Sequence, residues 1–277
     1  MLVHNNAFLY NDWVGHGNLG TVMDKSKYGE VSQNSFLFNG VAHGLRYTGR
    51  RSTISDNYFV GQCWGLIQSD GASIQVSPSG QNEISISNNW IHDSPKKGIR
   101  FDGNGDPLGL NGFICFNVVW NIIGNLEIFA KGDNHTVVNN VAWDELNPGD
   151  SCNVCVPSSH SGNPMNFNSM VKNNAAMKML DGGSVIENNY ASRDMTDQMI
   201  DVLNMDFRPR IGGAFDQEDM IGAYVKNDSR YWIPGRKLFK TSNPIPKDGA
   251  TILAASNRND VICQTAFKGL NSEMYHL

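Results

Sequence analysis

No stretch of this 277-residue chain approaches the ~20 consecutive apolar residues that a membrane-spanning helix requires. The opening MLVHNNAFLYNDW has neither the basic start nor the apolar core of a signal peptide. Cysteine is scarce. Cys63, Cys115, Cys152, Cys155 and Cys263 make five, an odd number that builds no disulfide framework. Cys152-Asn153-Val154-Cys155 is a lone CxxC with His160 nearby. Without a second CxxC or a flanking βαβ pattern, it reads as a loop disulfide or two ordinary thiols ahead of a zinc or redox centre. Charge is also low: 18% of residues are charged, with a formal net charge of -5. That balance lacks the basic excess of a nucleic-acid binder. Helical periodicity is missing over most of the chain, up to about residue 195. Asn-Gly hairpin signals such as Asn39-Gly40 and Asn111-Gly112 occur without the regular spacing of a β-sandwich.

What the chain does have is glycine, 28 residues, and paired asparagines inside β-prone stretches. The 40% hydrophobic content is that of a globular protein. One frame, apolar-x-x-Asn followed by a small, aromatic or β-branched pair, recurs through the chain. It places Asn6, Asn34, Asn57, Asn89, Asn117, Asn140, Asn174 and Asn189 in equivalent positions. Successive intervals are 28, 23, 32, 28, 23, 34 and 15 residues. A fixed frame at such intervals marks a solenoid. The last interval is short, so irregular structure is expected after about residue 175.

Between these frames lie short stretches ending in glycine: GLRYTG (44–49), GLIQSDG (65–71), GIRFDG (98–103) and LEIFAKG (126–132). Each alternates with the period of a strand. A coil therefore reads as strand, Asn turn, strand, loop. Asparagine suits the corner because it tolerates the left-handed conformation and bonds its own backbone in turns. Stacked at one corner, the amides can also bond one another from coil to coil.

The Asn frames, with GIRFDG and KGDNHTVVNN, resemble the right-handed parallel β-helix superfamily. That group includes pectate-lyase-like polysaccharide lyases and β-helical glycoside hydrolases. The resemblance covers roughly residues 1–225 and implies an all-β, single-stranded right-handed parallel β-helix. DFRPRIGGAFDQEDMIGAY (206–224) resembles a closing segment that caps such solenoids. Residues 226–250 read as the end of this cap and a linker stiffened by Pro234, Pro244 and Pro246. Residues 251–277 resemble the first strands of a fibronectin-III-like module. The chain opens in mid-coil and stops in an apparent strand. The expectation is a piece of a secreted, extracellular protein whose N-terminal part is missing.

Function in such a solenoid is expected on an outward sheet face, where equivalent residues line up about every 4.8 Å. Aligning the glycine-ended strands puts Arg46, Thr48, Gln68, Asp70, Arg100, Asp102, Glu127 and Lys131 on one face. Ile99, Phe101, Leu126 and Ile128 then point inward. Arg100 and Glu127 are expected as lateral neighbours, with Asp102 beside Lys131. His92, Asp93 and His135 are expected to overhang them. Arg100, Asp102, Glu127 and Lys131 are the expected catalytic set; Arg46, Asp70, His92, Asp93 and His135 are the expected substrate-binding set. Asn134 and Asn227 fit the glycosylation sequon of a secreted chain.

Such residues suit cleavage of an acidic polysaccharide. In β-elimination a cation neutralises the uronate carboxylate, a base removes the acidified proton and an acid protonates the leaving oxygen. LEIFAKG is similar to a strand of alginate- and chondroitin-type lyases, though its Glu-to-Lys interval differs by one residue. That likeness implies a Lys base, an Arg and calcium held by carboxylates. Hydrolysis would instead use two carboxylates among Asp70, Asp93, Asp102 and Glu127. Trp64, Trp90, Trp120 and Trp143 could line a sugar cleft. The rival is a non-catalytic matrix or adhesion protein with a flat, ion-paired glycan-binding face. A phage tailspike is a third possibility, one that calls for a trimer and a head-binding region.

Overall fold

The structure, a computed structural model, describes residues 1–11, 20–40, 42–65, 70–77, 81–103, 109–124, 126–145, 152–216, 220–224 and 231–237. By its contacts the chain divides into Met1–Gly235 and Arg236–Leu277. Nearly all of the second unit lies outside the described residues. So do the expected module at 251–277 and most of the linker at 226–250. Among the described residues, no helix is long and apolar enough to cross a membrane.

The first unit is a right-handed parallel β-helix of three sheets. Sheet A stacks Leu2–His4, Glu30–Ser32, Thr53–Ser55, Ser85–Ser87, Phe113–Cys115, Thr136–Val138, Met170–Lys172 and Val185–Glu187. Sheet B stacks Ala7–Leu9, Ser35–Leu37, Tyr58–Val60, Trp90–Ser94, Val118–Ile122, Val141–Trp143, Ala175–Ala176 and Tyr190–Ala191. Sheet C stacks Gly20–Asp24, His43–Tyr47, Ala72–Val76, Lys97–Phe101, Leu126–Ala130, Val154–Val156 and Met179–Asp181. Seven described coils pass through A, B and C in turn and the eighth through A and B, and all pairing between coils in these sheets is parallel.

The expected amide ladder runs along the corner between A and B. Each frame asparagine donates its Nδ2 hydrogen to Oδ1 of the next: Asn6 to Asn34 (3.1 Å), Asn34 to Asn57 (3.0 Å), Asn57 to Asn89 (3.0 Å) and Asn89 to Asn117 (2.9 Å). Asn117 to Asn140 (3.0 Å), Asn140 to Asn174 (2.9 Å) and Asn174 to Asn189 (3.0 Å) complete it. The left-handed residue, however, is the one before each frame position. Asn5, Gln33, Asp56, Asn88, Phe116, Asn139, Asn173 and Asn188 have φ between 47° and 58°. The turn and the ladder are thus divided between neighbouring residues. Asn11, Asn39 and Gln62 form a second amide ladder at the corner between B and C (3.0 and 3.1 Å).

The 15-residue interval does not end the solenoid. Ala175–Ala176, Met179–Asp181 and Val185–Glu187 fit one strand of each sheet into it, and Asn189 still joins the ladder. Inward rows form the core. Val31, Ile54, Ile86, Ile114, Val137 and Val171 stack in register and are fully buried, each worth about 1.5–3 kcal/mol. Phe8, Phe36 and Phe59 stack at 4.7 and 4.4 Å between centroids.

The segment expected as an end cap lies instead along the outer face of sheet B. Phe207 packs on Trp90, Trp120 and Trp143 at 5.0, 5.1 and 5.5 Å. Gly222 N–H donates to Asn173 O, and Gly235 N–H donates to Asp56 O. Trp90 Nε1–H donates to Tyr224 Oη (2.8 Å). Meanwhile Ile186, which continues the inward row after Val171, is 48% exposed. The apolar outer surface of sheet B explains why the strap runs sideways: three tryptophans would otherwise face water.

Asn117 accepts from Asn89 backbone N–H and Nδ2, and donates to Ile86 O, Cys115 O and Asn140 Oδ1. Replacing it with alanine leaves buried groups on both adjoining coils unpaired. Asn117→Ala should cost about 3 kcal/mol or more in chemical denaturation, whereas Asn6→Ala at the partly exposed first coil should cost about 1.

Candidate functional site on the outer face of sheet C

Sheet C alternates as strands do. Leu45, Ile74, Ile99, Ile128 and Val154 form an inward row. Arg46, Gln75, Arg100, Phe129, Cys155 and Leu180 form the neighbouring outward row. The third strand is Ala72–Val76, so the alignment of 65–71 as a strand is corrected. Gln68 lies outside the described residues, and Gln75 stands in the register place between Arg46 and Arg100. The alternation of Ala72, Ile74 and Val76 in GASIQVS was the signal for it.

Asp102 is the hub of this face. Its Oδ1 meets Lys131 Nζ at 2.6 Å and accepts from Arg100 Nη2 at 3.1 Å. Its Oδ2 accepts from Gln75 Nε2 (3.3 Å), and its carbonyl accepts from Gln81 Nε2 (3.0 Å). Asp70 accepts from Arg100 Nη1 (2.7 Å) and Lys97 Nζ (2.9 Å). Burial alone would raise the Asp70 carboxyl. The two cations bonded to it outweigh that and hold it well below the usual carboxylate range. The Lys131 side chain is fully buried. Burial chiefly lowers its pKa, with Arg100 and Lys97 adding to the shift and Asp102 opposing it. Arg46 Nε–H donates to Ser77 Oγ (3.2 Å).

Thus Asp70, Arg100, Asp102 and Lys131 come together, with Arg46 two strands from Arg100 in the same row, and the expected Asp102–Lys131 pair is present. The expected Arg100–Glu127 pair is not. Arg100 is level with Phe129, and Glu127 falls opposite Gly98. Glu127 is fully buried, and its Oε2 accepts from Asn153 Nδ2 (2.8 Å). Loss of hydration pushes its carboxyl up to about 8, with Asp144 adding to the shift and Asn153 opposing it. The corner is tight there: a Cβ on Gly98 would meet Glu127 O at 2.3 Å.

His92 does not overhang this face either. It belongs to the sheet B strand Trp90–Ser94, is 3% exposed and stacks on Trp120 at 4.1 Å. Its Nδ1 is 2.7 Å from Asp93 Oδ2, and its Nε2 is 2.8 Å from Tyr58 Oη. Asp93 also accepts from Asn121 Nδ2 at the corner between B and C. His135 is buried in the corner between C and A, where Nδ1 accepts from Gly112 N–H (2.9 Å) and Nε2 bonds Lys131 O (3.0 Å). Burial drives its pKa down to about 4, which leaves it neutral. Trp90, Trp120 and Trp143 are buried under the strap; Trp64 is 38% exposed. Asn134 is exposed. Asn227 lies outside the described residues.

Cys152 and Cys155 form a disulfide beside Phe129 on the outward row. Among the described residues, no three His, Cys, Asp or Glu side chains are placed to hold a metal.

No family model matches the chain. No curated protein matches it either. Among solved structures, the crystal structure of the Dettilon tailspike protein is similar, with a TM-score of 0.36 and 12% identity. The match covers 61% of this chain and 42% of the tailspike chain. A likeness of that size assigns no activity. The class to which the sheets themselves assign the chain is the right-handed parallel β-helix.

The Glu127 shift makes a prediction about stability. The folded carboxyl titrates at about 8, above its ordinary 4.5. Its contribution is therefore complete below pH 4.5 and is lost as pH rises through 8. Glu127→Gln keeps an acceptor for Asn153 and should remove this loss. Thermal melts across that interval should fall more steeply for the native chain than for the variant.

Proposed function

We propose that this chain is an extracellular glycan-binding β-helix whose outer sheet C face takes an acidic polysaccharide. The observation that carries the reading is the excess of cations around Asp102. Among the described residues, Arg46, Lys97, Arg100 and Lys131 share the face with two carboxylates, Asp70 and Asp102. A parallel sheet holds these groups on a rigid surface, and such a surface attracts an anionic chain at little ordering cost. The Cys152–Cys155 disulfide supports an oxidising compartment.

Cleavage by β-elimination is the second reading, favoured by the lowered pKa of Lys131 beside Arg100. In it Lys131 would act as the base and Arg100 would neutralise the uronate. Two observations favour binding over cleavage. Lys131 is fully buried and paired with Asp102. Glu127, the carboxyl that keeps its proton, sits inside the solenoid. Hydrolysis fares less well: Asp70 is held ionised, and Asp102 already accepts from Arg100, Lys131 and Gln75.

The test is affinity for polyuronates, followed with the ultraviolet absorbance of unsaturated uronate product, with and without calcium. The expected result is binding without an absorbance rise, weakened on the order of tenfold, about 1.4 kcal/mol, by Arg100→Gln. A rise that Lys131→Ala abolishes would establish elimination instead. No affinity for any glycan would leave the chain a structural protein.

A further inference from the structure

After Val154–Val156 the chain does not turn straight from sheet C into sheet A. It first makes a short antiparallel hairpin, Ser159–His160 against Asn163–Pro164. Ser161 and Gly162 close it with φ of 52° and 81°. Two successive left-handed residues are what a tight two-residue hairpin turn requires. The base of the hairpin is tied down. Met165 N–H donates to Ser158 O (2.9 Å), and Asn166 N–H donates to Gly132 O (2.6 Å). Asn166 is buried, and its Nδ2 donates to Pro157 O (2.8 Å) and Ala130 O (3.1 Å). Ala130 and Gly132 flank Lys131, so the finger is anchored beside that lysine.

His160 stands on the arm ahead of the turn and is partly exposed. Its ring meets Phe129 edge-on, with centroids 5.6 Å apart and an interplanar angle of 72°. Phe129 is level with Arg100 on the outward row, and Lys131 Nζ lies 5.2 Å from the centre of the same ring. Phe129 is thus the common neighbour of the imidazole and of two cations of the Asp102 face. The rest of the hairpin, Ser158, Ser159, Ser161, Gly162, Asn163 and Pro164, carries no titratable group. The charged groups that face His160 are Lys131, Arg100 and Asp102. Among the described residues, neither ring nitrogen of His160 has a hydrogen-bond partner. His92 and His135 differ in this respect, because both nitrogens of each ring are taken.

We infer that His160 is a specificity-determining residue of the proposed glycan site, contacting from its hairpin the acidic groups of a polysaccharide held on the Asp102 face. The inference rests on the glycan-binding reading and adds to that face a proton-binding group with both nitrogens open to a ligand. A neutral imidazole can bond a sugar hydroxyl, whereas the protonated ring donates a charge-assisted bond to a carboxylate. Loss of hydration chiefly lowers the His160 pKa, with Lys131 and Arg100 adding to the shift and Asp102 opposing it. The unliganded ring is therefore neutral near pH 7. A carboxylate placed beside it favours the charged form, so binding takes up a proton. Affinity for an acidic chain then strengthens as pH falls through the histidine range, and affinity for a neutral chain does not.

Binding of the full chain to polygalacturonate and to neutral dextran should be measured at about pH 7 and about pH 5, where uronate carboxylates remain ionised. That interval lies below the titration of Glu127 at about 8. Polygalacturonate affinity should rise on the order of tenfold at the lower pH, with no gain for dextran. His160→Gln should remove the gain. His160→Lys, charged at both values, should bind at the higher pH about as tightly as the native chain does at the lower. Circular dichroism should show the fold intact in both variants. If the native chain binds polygalacturonate and the gain persists in His160→Gln, or is absent from the native chain, the inference is wrong while the glycan reading stands. An equal gain for dextran would overturn the contact with acidic groups. If the native chain binds polygalacturonate at neither pH, both readings fail.

Discussion

A buried corner must satisfy every amide that passes through it, and between sheets A and B of this solenoid one residue type recurs to meet that constraint. An asparagine side chain both donates and accepts, so it can take hydrogens from the coil before it and give them to the coil after it. Asn34, Asn57, Asn89, Asn117, Asn140 and Asn174 do this while fully buried. The ladder pins the stacking register at one corner. The apolar rows, the aromatic stacks and the outward Arg46–Gln75–Arg100 row then follow. A slip of one residue would turn every one of them over.

The repeat was legible because its signal is local. An apolar residue three places before an asparagine recurs whatever the loop length, and so the sheets A and B could be placed. The identity of the left-handed residue was less legible. Phe116 occupies that conformation with φ of 58°, although bulky side chains resist it. The stack on either side dictates the backbone there and overrides preference. The third strand was misplaced because GLIQSDG imitates the glycine-ended frames, while the true strand carries no such ending.

The candidate site was legible only in part, for related reasons. Arg100 sits in one of two adjacent, well-marked strands and Asp102 and Lys131 each follow the end of one, so their association follows from stacking alone. Glu127 was misassigned because strict alternation was carried too close to a corner, where the backbone turns and side chains no longer alternate. His92 was misassigned because its strand is longer than the frame implied. The pairing of Asp70 with Arg100 and Lys97 falls outside the strand frames, and no local pattern encodes it.

Solenoids of this kind have nearest-neighbour energetics, and each coil can in principle open without its distant fellows. The strap on sheet B changes that. It is tied at one place to the coil of Asn173 and at another to the coil of Asp56, and its Phe207 rests on three coils at once. Those intervening coils become a single cooperative block. The coil of Asn6, which these ties do not reach, keeps only its contacts to neighbouring coils, so the strap divides the solenoid into a coupled stretch and one that opens independently of it.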